Sequence, residues 1–146
     1  MKQIILFLSI LFLITSCDSD DSEVSEVQFT VIAQGDVYNG NFETPKLNLV
    51  IKNNEQWNAL KNSMSSYSVT KINETDIDFT KYEVIAVVDQ VYRSGGYSID
   101  ITKISQNNRN IIVKVDQLQK GNLTSVITQP FHIVKITKTG KRIIFK

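Results

Sequence analysis

The chain has 146 residues, with 16 Lys and Arg against 15 Asp and Glu, one Cys and one His. This balance argues against a nucleic-acid-binding protein, which needs a clustered basic face, and against electrostatic docking on anionic lipid. With 42% hydrophobic residues and two prolines, the chain is long enough for one domain with its own core.

The first segment has the pattern of an export signal: Lys2, an apolar run from Ile4 to Ile14, small residues and then Cys17. At 1.5 Å per residue the run spans about 16 Å, roughly half of a hydrocarbon core, which disfavours a transmembrane helix. It resembles a bacterial lipoprotein signal peptide with its lipobox. The resemblance implies that residues 1–16 are removed and that Cys17 carries the lipid, including palmitate, which holds the protein on the outer membrane of a Gram-negative bacterium. A cleaved signal without lipidation is the alternative, and it leaves the cysteine unexplained.

The next segment, residues 17–26, is acidic and lacks aromatic residues after Cys17, so we expect a flexible tether between lipid and domain. Two interpretations stay open. The tether is a solvated spacer, or it resembles the acidic run that marks some lipoproteins for export to the cell surface. The sequence therefore does not choose between a periplasm-facing and a surface-facing protein.

Two strands and a helix are predicted in the first half of the domain, residues 27–146. Apolar and polar residues alternate from Val27 to Val31, and Leu47 to Ile51 is a second strand candidate. Asn53 or Asn54 can cap a short helix. Its apolar face is predicted by helical spacing and consists of Trp57, Leu60 and Met64.

The second half reads as strands after a polar loop from Ser65 to Thr75. The continuous apolar run Val84 to Val88 predicts a central strand that is covered on both faces. A hairpin follows, with Asn107-Asn108 at positive φ in its turn. A second hairpin is predicted around Thr139-Gly140, between Phe131–Ile136 and Ile143–Phe145. The expected fold class is α+β, a mainly antiparallel sheet with one short helix packed on one face.

No catalytic, metal or cofactor site is predicted. Zinc needs three or four Cys or His ligands, which one His and an acylated Cys17 do not supply. His132 lies in a strand, where we expect it half-exposed to solvent, and no serine has a nucleophile-elbow context. Asp76 and Asp78 have a calcium-like spacing but lack the other ligands, so a solvated loop is favoured. We therefore expect a protein that is not an enzyme.

Aromatic residues offer a second kind of site. Four of them could line a sugar or aromatic pocket, although at these spacings such residues more often belong to a core: Trp57, Tyr82, Tyr92 and Tyr97.

The segment Arg93-Ser94-Gly95-Gly96-Tyr97 is the candidate for partner binding. Two adjacent glycines between strands indicate positive φ or a close approach of another chain. Arg93 and Tyr97 belong to the residue types enriched at binding hot spots. The alternative is structural: the glycines only permit a tight turn, and Tyr97 packs inward.

A family resemblance runs through the same region, from about Trp57 to Phe145. The order of segments resembles the carboxy-terminal domain of the PrcB family, and the segments are Ile77-Asp78-Phe79, Val84–Val88, Ser94-Gly95-Gly96-Tyr97-Ser98-Ile99, Ile112–Val115 and Thr128-Gln129-Pro130-Phe131. The Gly-Gly-Tyr turn is the most specific of them. Ser94 replaces the family's usual threonine, and Gln119–Asn122 replaces a proline-containing segment.

PrcB proteins are named for a lipoprotein subunit of a bacterial surface protease complex, and the resemblance implies a non-catalytic role that supports or stabilises a partner. The first hypothesis is a membrane-anchored module that binds another exported protein, with a protease complex as a candidate. The second is a lipoprotein that binds a small molecule or glycan, and the third an enzyme with an unrecognised site. A flat exposed apolar patch favours the first, and a deep apolar pocket with converging polar groups the second.

Overall fold

The alternating apolar segments of this sequence form strands. A computed structural model describes residues 24–146, so Cys17, the signal segment and most of the expected tether lie outside the described residues. The described elements are β1 (Ser25–Glu26), β2 (Thr30–Gly35), β3 (Leu47–Ile51), α1 (Asn54–Ser63), α2 (Ser66–Val69), β4 (Tyr82–Val88), β5 (Asp100–Gln106), β6 (Asn110–Asp116), β7 (Phe131–Thr137) and β8 (Arg142–Phe145).

The strands form two four-stranded sheets within the described part of the chain. The central sheet has the order β2-β7-β4-β3, and the outer sheet has the order β1-β5-β6-β8. All pairs of neighbouring strands are antiparallel except β6 and β8. The α+β class with mainly antiparallel pairing is therefore confirmed, although the strands are divided between two sheets where one was expected.

Strand β4 is buried on both faces, as its continuous apolar run predicted. Val84, Ala86 and Val88 join the core beneath α1, and Ile85 and Val87 join a second core between the two sheets. Because side chains alternate along a strand, one apolar run supplies both cores.

Helix α1 begins where the sequence predicted. The Asn53 side chain caps it by accepting a hydrogen bond from the Gln56 N–H at 2.9 Å. Trp57 is only 1% exposed and its indole N–H donates to the Thr75 carbonyl oxygen at 2.9 Å. The tryptophan therefore lies in the core between this helix and the central sheet. The predicted polar loop that follows also contains the one-turn helix α2, capped by Ser65.

The predicted hairpin around Thr139-Gly140 is wrong. β7 pairs with β2 and β4 in the central sheet, whereas β8 pairs in parallel with β6 in the outer sheet. Phe131 to Val134 are all buried, so β7 needs cover on both faces, which an isolated hairpin does not give. Gly140, at φ +70°, lies where the chain crosses between the sheets.

Two smaller expectations also differ from the structure. The strand expected at 27–31 begins later than predicted, since β2 starts at Thr30. A short strand, β1, comes before it at Ser25–Glu26, the end of the expected tether. The β5–β6 hairpin exists, but its turn does not use positive φ at Asn107 or Asn108. Instead, the Asn107 side chain accepts hydrogen bonds from two backbone N–H groups in the turn.

Candidate interaction site

The glycine turn, residues 92–97, lies between β4 and β5 and is covered by the chain itself. The covering segment is residues 117–127, which joins β6 to β7 and is called the cover loop here. Gly95 donates to the Thr124 carbonyl oxygen at 3.0 Å, and its own carbonyl accepts from Asn122 N–H at 2.8 Å. The Gly96 carbonyl accepts from Gly121 N–H at 2.8 Å. The backbone that two glycines leave open is therefore occupied by the cover loop.

Gly96 is needed for this contact, and Gly95 makes room for it. A Cβ on Gly96 would lie 2.6 Å from the Asn122 Nδ2, and Gly96 has φ +73°. A Cβ on Gly95 would lie 3.3 Å from the Asn122 Oδ1. The turn and the cover loop therefore form one unit.

The five residues predicted for partner binding have different environments. Arg93 is exposed, Gly95 is buried, and Ser94, Gly96 and Tyr97 are half-buried. The Ser94 carbonyl oxygen accepts from the Thr128 hydroxyl at 2.9 Å, a contact that fixes the turn. Among these residues, Arg93 is the one whose side chain is left largely in solvent.

Tyr97 stacks on Tyr92, with ring centroids 3.7 Å apart and ring planes 8° from parallel. A Cβ on Gly121 would lie 2.4 Å from Tyr97, so this glycine lets the cover loop contact the ring directly. The Tyr92 hydroxyl donates to the Asp89 carboxylate at 2.7 Å. Burial, followed by that hydrogen bond and the charge of Asp89, raises the pKa of Tyr92 to about 12. The two rings therefore contribute to the packing of the turn, and the Tyr92 side chain is uncharged.

The cover loop carries apolar side chains that face solvent. Leu118 is 66% exposed, Ile127 is 49% exposed and Leu123 is fully exposed, and Val126 adds to them. Arg93 and Lys120 are exposed on the same unit. We call these six residues the loop patch. Several exposed apolar side chains on one loop, with cationic side chains exposed on the same unit, are features found at protein-binding sites.

Asp100 anchors the base of the cover loop. It is nearly buried and accepts hydrogen bonds from the Gln34 side chain at 2.9 Å, the Leu118 N–H at 3.1 Å and the Ser98 hydroxyl at 2.5 Å. An open cleft of about 360 Å³ lies beside it. With three donors, this carboxylate holds the loop in position.

The expectation of a half-exposed His132 is wrong, because its side chain is 5% exposed and lies between the sheets. Its Nδ1 accepts from the Ile101 N–H at 3.0 Å, which assigns the proton to Nε2 in the neutral ring. Burial lowers the pKa of His132, and the Asp100 charge opposes that effect. Ser98 bonds Asp100 and not the imidazole, so these three residues do not form a catalytic triad.

The other candidates from the sequence are structural. Tyr82 lies beneath the Lys135 ammonium group, 4.7 Å from the ring centroid. Asp76 and Asp78 are exposed, and Asp78 binds Thr80 and Lys81, which lower its pKa to about 2. Residues 24–146 contain no cluster of three acidic or histidine side chains suited to a metal ion. None of the helices in the same range is long and apolar enough to cross a bilayer.

The apolar cover loop was missed by sequence reasoning, although a signal was present. Leu118, Leu123, Val126 and Ile127 follow neither a strand period nor a helix period and lie among polar residues. Such spacing predicts that apolar side chains cannot share one buried face.

Comparison with protein families gives a match over residues 84–137, to the family model described as PrcB C-terminal. The matched segment begins in β4, contains the glycine turn and the cover loop, and ends with β7. The PrcB resemblance is confirmed over these residues, a shorter range than the sequence suggested. Neither the curated proteins nor the solved structures gave a match to this chain.

Proposed function

We propose that this protein is a lipid-anchored, non-enzymatic module of the bacterial envelope that binds and stabilises another exported protein through the loop patch. The PrcB-like segment supports an accessory role in a protease complex, which makes an exported protease the first candidate partner. The matched segment includes the whole cover loop, so the likeness and the exposed apolar surface coincide.

The loop patch is the observation on which this proposal rests. Burying a Leu or Ile side chain contributes about 1.5–3 kcal/mol. In the free protein much of this burial free energy is not gained, because three apolar side chains remain exposed: Leu118, Leu123 and Ile127. Backbone hydrogen bonds to Gly95 and Gly96 hold the loop before a partner arrives, so binding orders few groups and costs less entropy.

The position of the loop patch suits an anchored protein. Ser25 pairs with Gln106 at one end of β5, whereas Asp100 receives the Leu118 N–H at the other end. Seven residues at roughly 3.3 Å each separate these ends by about 20 Å. A lipid on Cys17 would therefore attach the domain through the end of β5 that lies opposite the base of the cover loop.

The small-molecule and glycan alternative has less support. Tyr92 and Tyr97 each cover one ring face of the other, and the cover loop contacts Tyr97, which reduces the ring surface that could stack on a ligand. The clefts beside them are lined by polar residues such as Gln34, Asp89 and Asp100. This arrangement lacks the deep apolar pocket that a small ligand requires.

The test is capture of the partner by crosslinking in membranes of the native cell. The double variant Leu123→Ser, Ile127→Ser should reduce the captured amount by about tenfold or more, because two apolar contacts are lost. The single variant Arg93→Ala should also reduce the captured amount. It should leave thermal stability unchanged, since a solvent-facing turn arginine contributes little to folding.

Tyr67→Ser is the matched control, because Tyr67 is 56% exposed but lies on α2, away from the cover loop. The control should retain full capture. If the double variant and Arg93→Ala capture the partner as well as the control does, the loop patch is not the interface. A variant with lowered thermal stability is replaced by single substitutions before capture is compared.

A further inference from the structure

A second binding feature lies at the edge of the central sheet, on β3. Among residues 24–146, β3 pairs only with β4 and ends the sheet order β2-β7-β4-β3. The backbone of alternate residues on such an edge has no strand partner, and it can bind another extended chain. The question is which residues present these groups and what lies beside them.

The register identifies the free groups. Asp89 N–H donates to the Pro130 carbonyl, and Lys138 N–H donates to the Lys81 carbonyl, which extends the β4–β7 ladder at both ends. Odd-numbered residues of β4 therefore bond to β7, and even-numbered ones bond to β3. In β3 the bonded residues are the odd-numbered ones, so the N–H and C=O groups of Asn48 and Val50 point to the free edge.

An apolar groove of about 370 Å³ lies along the same edge, between β3 and α1. Leu47 and Leu49 line it from the strand, Ala59 and Leu60 line it from the helix, and Tyr38 closes one end. A chain that paired with β3 would place alternate side chains in this groove, directly opposite Leu47, Leu49 and Ile51.

The charged side chains beside β3 indicate which kind of chain can pair with this edge. Lys46 and Lys52 flank β3 and are exposed, and alternation places them on the other face of the strand. Lys46 contacts Asp89 at 3.1 Å, whereas Lys52 has no carboxylate within 4 Å among the residues that the structure describes. If two copies paired symmetrically about Leu49, Lys46 of one would face Lys52 of the other, which disfavours self-pairing in this register.

We propose that the β3 edge and its groove bind an extended segment of a partner protein by strand addition. The segment has apolar side chains at alternate positions, which fill the groove, and acidic side chains at its ends, which face the two lysines. Its backbone bonds to Asn48 and Val50. This site does not depend on the loop patch, and the two surfaces can be tested separately.

The probe is an end-blocked, fluorescent heptapeptide with the sequence Glu-Leu-Thr-Leu-Thr-Leu-Glu, and the protein is the full chain in lipid nanodiscs. Fluorescence anisotropy should detect binding, and deuterium uptake at residues 47–51 should fall when the peptide binds. Asn48→Pro should weaken binding about 3- to 10-fold, because it removes one outward N–H and its hydrogen bond. The fold should tolerate this change, since proline is accepted on edge strands whose N–H faces solvent.

Asn48→Ala is the matched control, because it keeps the N–H and should bind as the native chain does. Lys52→Glu should weaken binding of the peptide and strengthen binding of its counterpart with Lys at both ends. Equal binding by Asn48→Pro and Asn48→Ala, or unchanged deuterium uptake, would overturn the proposal. A dimer that protects residues 47–51 without peptide would also overturn it, because the edge would then be occupied by a second copy.

Discussion

At the residue scale, His132 and the pair Gly95-Gly96 have structural roles that the sequence did not predict. His132 was expected to be half-exposed because one histidine in a strand gives no signal of which face it occupies. The structure places it between the sheets, bonded to Ile101 N–H. Gly95 and Gly96 were recognised as a place of close approach, but the approaching chain is the cover loop, whose pairing with the turn no local pattern encodes.

His132 gives a pH-dependence that can be measured. Because burial lowers its pKa, the unfolded chain takes up a proton before the folded chain does as the pH falls. Stability should therefore be complete above about pH 7 and should decrease as the pH falls through roughly 6.5, the ordinary histidine value. Urea unfolding at pH 7.5 and pH 5.5 should show this loss, and His132→Asn, which keeps an acceptor for Ile101 N–H, should remove it.

Asp78 does not interfere with that measurement. Its pKa is lowered to about 2, so its contribution is present above the ordinary value of 3.8 and is lost only as the pH falls below that value.

If the native protein and His132→Asn lose the same stability between pH 7.5 and 5.5, other groups carry the dependence and His132 is not responsible.

At the element scale, strand periodicity and helix capping predicted most elements, but among the strand pairings they predicted correctly the β5–β6 hairpin and not the pairing of the last two strands. The run Val84 to Val88 and the helix capped by Asn53 lie where expected, because burial on both faces and side-chain capping are local signals. The last hairpin was predicted wrongly, because two apolar strands joined by a glycine turn have the same sequence pattern whether they pair with each other or belong to different sheets. β7 and β8 separate because each completes a different sheet.

Trp57 tests the packing of α1 on the central sheet. Trp57→Ala should lower the free energy of unfolding by about 3–5 kcal/mol, since it leaves a large cavity beside Val84 and Ala86. This is a large fraction of the roughly 5–15 kcal/mol stability of an ordinary domain, so the melting temperature of the variant should fall strongly. Trp57→Phe is the control, because it keeps a six-membered aromatic ring while losing the smaller ring of the indole and its bond to the Thr75 carbonyl, and its melting temperature should fall less. An unchanged melting temperature in Trp57→Ala would contradict the packing described here.

At the scale of the whole molecule, the arrangement separates the attachment point from the proposed binding surface. β1 begins beside the β5–β6 turn, and the loop patch lies at the far end of β5. This separation was beyond sequence reasoning, because it depends on which end of β5 the first strand pairs with.

The anchor itself has a direct test. Cys17→Ser should move the protein from the membrane fraction to the soluble fraction, because acyl chains supply about 0.8 kcal/mol for each buried methylene. Ser19→Ala, two residues further along, should leave the protein in the membrane fraction. If Cys17→Ser sediments with membranes as fully as Ser19→Ala does, the attachment has another cause.

The pairing of early strands with late ones also affects when the protein can fold. β2 is near the start of the described chain, yet Thr30 pairs with Lys135 in β7, and Ser25 pairs with Gln106 in β5. Neither sheet can close until residues far downstream have been synthesised, and such non-local pairing makes folding slow. A chain that must wait for β7 before it gains a stable core remains extended while it is being made. For the exported protein proposed above, that delay would keep the chain free of a finished domain during its passage across a membrane.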